Sequence, residues 1–387
     1  MVLLGCAASS ISTCPCAASS AAVWRSGARL GVSQRCRAFL SHSSVFGAAR
    51  LVHTLRLWNP FVVTPRSVRA EVGTSMEEEL KELPGDEKPK QSWHSLPSGL
   101  RLEVLSLGAG GSVSQGKAPL VFLHGSYHAA WCWAVHWMPY FASLGYDCYA
   151  VSLLGQGGSD TPVEPGPGGT IQSHARDVAH FISQRCERPP VLVGHSFGGL
   201  IVQYYLSQVS TDDGVALDVG GWGEPYPCLA GAVLACSVPP TGNTAVVKRF
   251  LMSKPVASIK VTLSLAAKMF ATSVSLCRET FFSPSMLEKE VVQYQKLMKE
   301  SSKVPLFDLR NLNSSLPVPS PVKNSPPVLV IGAENDFILD KQGIEETASF
   351  LGTKEVIVPG IAHDVMLDMG WRDAADVLKS WMQTKLQ

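Results

Sequence analysis

From about residue 100 to its end, the chain alternates short apolar runs with longer stretches of helical period. The runs at 100–107, 119–123, 146–153, 190–193, 230–235, 327–331 and 355–358 have the length and aliphatic content of strands buried on both faces. Between them, 129–144, 172–186, 197–207 and 371–386 read as helices. Such alternation predicts an α/β fold, a mostly parallel sheet with helices on both faces. Two stretches interrupt it. Residues 211–227 are rich in Gly and Asp and read as a surface loop, whereas 239–326 has helical character and is expected as a cap over the carboxyl ends of the strands. The most apolar part of the cap, 255–276, carries Lys260, Lys268 and several hydroxyls. A membrane span needs about 18 or more uncharged residues, so a partly buried amphipathic helix is expected there.

Composition changes the picture at the N-terminus. Residues 1–70 contain no Asp, Glu or Lys and are rich in Ala, Ser and Arg, the composition of an organelle transit peptide. Because Ser and Ala outweigh any Arg-rich amphipathic pattern, a chloroplast address is expected, with the mitochondrion as the alternative. Residues 71–92 are charged and Pro-containing and read as a linker, which leaves 93–387 for one large domain. The leader also hides the charge of the body: it holds 8 of the 33 basic residues, so the remainder carries 25 basic against 32 acidic groups, a net −7. A mildly acidic body gives no case for nucleic acid as a partner. Four of the ten cysteines fall in the leader, and the six in the body form no Cys-x-x-Cys pair and no metal-ligand spacing with His. Neither a metal nor a cofactor is expected.

The chemistry centres on Val191-Leu192-Val193-Gly194-His195-Ser196-Phe197-Gly198-Gly199. An apolar run leading into Gly-x-Ser-x-Gly and then into a helix is the context of a nucleophile elbow. Its turn is too tight for Cβ atoms two residues either side of the nucleophile, which Gly194 and Gly198 satisfy. Ser196 is thus the candidate nucleophile. Acyl transfer also needs a base, an acid that orients the base, and amides for the oxyanion. In this kind of fold the acid and then the histidine follow the serine in the chain. A strand ending in Glu334-Asn335-Asp336 supplies the acid, Asp336 being preferred and Glu334 the alternative. His363 follows 27 residues later in a loop after the next strand. Strand ends of a parallel sheet gather on one side, which lets all three meet. The amides of Phe197 and of Ser126, in the loop His124-Gly125-Ser126-Tyr127-His128, are the expected oxyanion donors. Tyr127 and Trp131 are candidates for contact with substrate. Asp364 reads as a loop-capping carboxylate, His195 as a residue that hydrogen-bonds locally, and His124 as a loop brace.

These motifs, together with Gly155-Gln156-Gly157-Gly158-Ser159-Asp160, resemble the serine α/β-hydrolases over almost all of residues 100–387. The segment from His124 to Trp133 is similar to plant esterases of the methylesterase and hydroxynitrile-lyase group, and with the leader the chain looks like a plastid-targeted plant hydrolase. The resemblance implies an ester or related acyl substrate. Two departures narrow it. Epoxide hydrolases and haloalkane dehalogenases of this fold carry Asp at the elbow, where this chain has Ser196. Hydroxynitrile lyases carry Lys after the catalytic histidine, where this chain has Asp364. The leading expectation is a serine carboxylesterase or lipase-like enzyme acting on a small-molecule or lipid ester through an acyl-enzyme, with peripheral contact to a membrane left open. The alternatives are thioester or carbon–carbon bond hydrolysis, and a receptor-like protein with very slow turnover. Apolar cap residues, among them Val246, Phe250, Leu251, Met252, Leu263 and Phe281, suggest an apolar acyl or alcohol group.

Overall fold

The computed structural model describes residues 88–109, 116–209 and 226–386. The expected leader (1–70), most of the expected linker (71–87) and most of the expected surface loop (211–225) lie outside the described residues.

Eight strands form one sheet in the order β1-β2-β4-β3-β5-β6-β7-β8. They are β1 (Lys90–Ser95), β2 (Arg101–Leu107), β3 (Leu120–Leu123), β4 (Cys148–Val151), β5 (Val191–His195), β6 (Gly231–Ala235), β7 (Val328–Ala333) and β8 (Glu355–Val358). β1 and β2 are antiparallel to their neighbours and the rest are parallel. Every residue of β3, β5 and β6 is buried, as expected of central strands covered on both faces. β1 lies partly within the stretch read as linker. It is an edge strand with polar Gln91 and Ser92, and edges of this composition resemble linkers in sequence.

The helices of the main body are α1 (Trp131–Ala134), α2 (Trp137–Ser143), α3 (Ile171–Arg185) and α4 (Phe197–Leu206). The helix expected over 129–144 is two helices. Pro139, near the start of α2, has no N–H to donate and its ring crowds the carbonyl four residues back, so one continuous helix cannot run through Val135. Trp133 and Trp137, on either side of the break, both pack on Phe122 of β3. The α3 start is fixed by reciprocal hydrogen bonds between Thr170 and Ser173.

Between β6 and β7 lie α5 (Thr244–Ser253), α6 (Pro255–Ala266), α7 (Val274–Phe281), α8 (Glu288–Ser301) and the short α9 (Leu309–Leu312). The run at 255–276 does not form one partly buried helix: α6 ends before Lys268, which takes a left-handed φ of 51°, and Ser264 alone of the α6 residues is buried. Two further helices close the chain, α10 (Lys341–Phe350), which the apolar pattern does not predict, and α11 (Trp371–Lys385). No helix among the described residues is long and apolar enough to cross a membrane.

Candidate active site

The chain passes from β3 to β4 on one side of the sheet and returns to β5 on the other, so the ends of β3 and β5 flank a crevice where the strand order reverses. Their register pairs Leu123 with Gly194. That pairing sets the loop 124–128 beside Ser196, and a Cβ on Gly125 would come within 2.8 Å of the Ser196 Cβ. Ser196 itself adopts φ 53° and ψ −118°, a conformation disfavoured for any residue with a side chain. The strain is held in place from outside the turn: the Ser196 N–H donates to the Ala235 carbonyl, and its own carbonyl accepts from Gly199 and Val238. A Cβ on Gly194 would stand 2.5 Å from the Gly198 carbonyl oxygen, and one on Gly198 2.6 Å from that of His124.

Asp336 sits in the turn after β7. Its Oδ1 accepts from the backbone N–H groups of Ile338 (2.7 Å) and Leu339 (2.9 Å), and its Oδ2 accepts from His363 Nδ1 at 2.7 Å. The turn is tied to the histidine loop through Asn335 N–H and the Ile361 carbonyl. Glu334, the alternative acid, is exposed and accepts instead from the Gly360 N–H at 2.9 Å. The Cys236 thiol also hydrogen-bonds Asp336, and burial first, then the Asp336 charge, pushes that thiol well up and keeps it protonated. His363 is buried with Nδ1 committed to Asp336, which leaves Nε2 as its basic nitrogen. Burial lowers its basicity, but the charge and hydrogen bond of Asp336, helped by Asp364, win and hold it above the usual histidine value.

Ser196 and His363 share the wall of one cavity of about 450 Å³. Ser126, Tyr127, His128 and Phe197 line it too, with Val247, Leu265, Phe281, Leu312, Leu316 and Ile338 as its apolar walls. Phe197 opens α4, so its N–H has no acceptor within the helix and is available at the end where negative charge is favoured. Trp131 is not part of the wall. Its indole donates to Ser301 Oγ at 2.7 Å and its ring packs between His128 and Tyr294 in the core. A ring this large on a short helix beneath the sheet end buries more surface inward than at the opening.

A second buried network adjoins the first. His128 Nδ1 lies 2.9 Å from the Ser126 carbonyl and its Nε2 2.9 Å from Asp364 Oδ2. A carbonyl only accepts, so Nδ1 donates to it, and Nε2 faces the Asp364 carboxylate. Burial raises the Asp364 carboxyl, but His128, followed by His195 and His363, holds it below the ordinary value and ionised. Asp364 is therefore no loop cap. That task falls to Asp368, which accepts from the backbone N–H groups of Ser283 and Ala362. The sequence hid this difference because a carboxylate next to a loop histidine looks the same whether it points out or in. His195 donates from Nε2 to the His363 carbonyl at 3.0 Å, and burial, then repulsion from His363, lowers it to about 3, so it is neutral. His124 braces the β3 loop, accepting from the Leu153 N–H at 3.0 Å and donating to the Gly125 carbonyl at 2.8 Å. Among the described residues two sets of side chains converge as metal ligands would, His195 with His363 and Asp364, and Cys236 with Asp336 and His363. In the second set Asp336 is already engaged by His363 and Cys236, whereas in the first His195 Nδ1 and Asp364 Oδ1 have no hydrogen-bond partner.

The model of the alpha/beta hydrolase family matches residues 120–377, and the chain belongs to that family. Over 109 residues it is 29% identical to epoxide hydrolase 2 of Siraitia grosvenorii, a match that spans 28% of this chain and 31% of that relative. Among solved structures it is similar to an esterase from Exiguobacterium antarcticum (TM-score 0.55, 18% identity, 76% of this chain and 100% of that one). A putative aryl esterase from Burkholderia cenocepacia is also similar (TM-score 0.53, 18% identity, 77% and 99%). So is a bromoperoxidase from Bacillus anthracis (TM-score 0.53, 16% identity, 76% and 100%). At these identities the likeness concerns the fold; chemistry has to be argued from the site.

Proposed function

We propose that the protein is a serine hydrolase that cleaves a carboxylic ester of an apolar small molecule or lipid through an acyl-enzyme. The observation that carries this reading is Ser196 on a strained elbow, sharing a cavity wall with a His363 ring already oriented by Asp336. Ser196 Oγ attacks the ester carbonyl and gives its proton to His363 Nε2, and the imidazolium is stabilised by Asp336. The amides of Phe197 and Ser126 hold the oxyanion of the tetrahedral intermediate. His363 returns the proton to the leaving alcohol, and water then repeats the sequence on the acyl-enzyme. The apolar walls, Val247, Leu265, Phe281 and Ile338 among them, suit an apolar acyl or alcohol group. Two of the similar structures bear the name esterase, which agrees with this reading. Serine, not Asp, at the elbow sets the chain apart from an epoxide-opening mechanism, despite the epoxide hydrolase among its relatives.

Fluorophosphonate labelling of the protein beside its Ser196→Ala variant tests the proposal. Labelling and ester turnover should both vanish in the variant. Equal labelling of the two proteins would remove Ser196 from the mechanism. The composition of residues 1–70 supports import into the chloroplast. A fluorescent fusion to that segment should colocalise with chlorophyll; a purely cytosolic signal would refute the address.

A further inference from the structure

We propose that the outer face of the α5–α6 hairpin is a docking surface for an anionic lipid bilayer. On α6, Val256, Ile259 and Leu263 recur at the spacing of one helix face, yet that face points outward, with exposures of 71%, 52% and 51%. The side of the helix turned in carries a polar residue: Ser264 is buried and hydrogen-bonded to Thr280 at 2.8 Å. On α5, Leu251 and Met252 continue the exposed apolar surface. A contiguous patch of this kind on a folded protein marks an interaction site.

Charge selects the occupant. From residue 241 to 278 the chain carries six basic residues and no acidic one. Lys248, Lys254 and Lys260 stand exposed on or beside the hairpin, and the ion pair of Lys260 with Glu279 at 3.3 Å is itself solvent-exposed and weak. A second copy of this chain meeting the patch about a two-fold axis would bring like charges together. Lipid phosphates instead satisfy the lysines, while the aliphatic side chains enter the headgroup boundary. The same two helices reach the cavity, α6 from its other side through Leu265 and α5 through Thr244 and Val247, which share a helix face with Leu251. A docked hairpin therefore sets the cavity mouth against the bilayer, a direct path for a lipophilic ester. That last step rests on the hydrolase reading; the docking does not.

Co-sedimentation with vesicles of phosphatidylglycerol and phosphatidylcholine in equal parts, against phosphatidylcholine alone, tests the surface. It uses the full chain and its Ile259→Glu/Leu263→Glu variant. The unaltered protein should bind the anionic vesicles preferentially, and the variant should bind about a hundredfold less, roughly tenfold for each apolar side chain replaced. A Lys248→Glu/Lys260→Glu variant, which leaves the apolar face intact, should lose about fivefold or more per charge on anionic vesicles only. Both variants should keep the unaltered melting temperature and fluorophosphonate labelling rate, because none of these four residues lines the cavity. Equal binding by all three proteins would place the membrane contact elsewhere in the chain and overturn the proposal. So would absence of binding by the unaltered protein, or a dimer that the Glu variant dissociates. Vesicle binding requires no turnover, so failure of the Ser196 labelling test would leave this result readable.

Discussion

Gly198→Ala probes the joint on which the whole site depends. Gly198 lies in the first turn of α4 with ordinary helical backbone, so the penalty for a methyl there is steric alone. The added Cβ would stand 2.6 Å from the His124 carbonyl oxygen and 2.7 Å from that of Leu123, where ordinary contact begins at 3.4 Å. The shortfall is 0.8 Å against backbone, which cannot swing aside as a side chain would. Either α4 or the end of β3 must move, and both carry an oxyanion donor, Phe197 on one and Ser126 two residues past His124 on the other. Overpacking of this kind costs about 1–3 kcal/mol. For a domain of this size that corresponds to a melting temperature lower by about 2–6 °C. Displacing one donor should lower kcat by about 10²–10³ with little change in KM, because the oxyanion exists only after attack. The assay is turnover of a short-chain nitrophenyl ester, with fluorophosphonate labelling rate and a thermal melt on the same samples. Gly166→Ala, at a glycine with no atom within 4 Å of the added methyl, is the control and should change neither. Full activity and an unchanged melt in Gly198→Ala would mean that the elbow and the β3 loop are not in contact as described.

Two further substitutions address the electrostatics. Asp336→Asn should lower kcat by about 10⁴, as loss of the orienting acid does in comparable triads, and should move the acid limb of kcat/KM to lower pH. The sign follows from His363: Asp336 raises its basicity, so without that charge the ring stays neutral, and therefore competent, to lower pH. An acid limb that stays put or moves up would refute the assignment. Asp364→Asn weakens the buried contact with His128 and should destabilise the fold by about 1–3 kcal/mol, measured by denaturant unfolding. It should also shift the same acid limb down by less than Asp336→Asn does, since Asp364 is the smaller of the two influences raising His363; a larger shift would reverse their ranking.

Much of this protein is legible in one dimension because the relevant physics is local. Buried aliphatic runs of strand length, helical periods between them and a Gly-x-Ser-x-Gly turn each act over fewer than about twenty residues, and they place the strands and the elbow close to where they are found. The order of serine, acid and histidine is likewise readable, since a parallel sheet brings successive strand ends to one side. The polar edge strand β1 has no apolar run to mark it, and the buried face of α10 is made of Gly343, Ile344, Thr347 and Ala348, of which Ile344 alone is strongly apolar. Direction is what a linear pattern does not contain. Asp336 and Glu334 lie two residues apart, and the turn after β7 decides which faces His363. Asp364 looks like any loop carboxylate until His128, 236 residues earlier, closes on it. The apolar residues of the cap looked alike as well, yet Val246 and Phe281 point into the protein while Ile259 and Leu263 point out. Which side of a helix meets the core depends on what it packs against, and that partner is chosen by the tertiary fold.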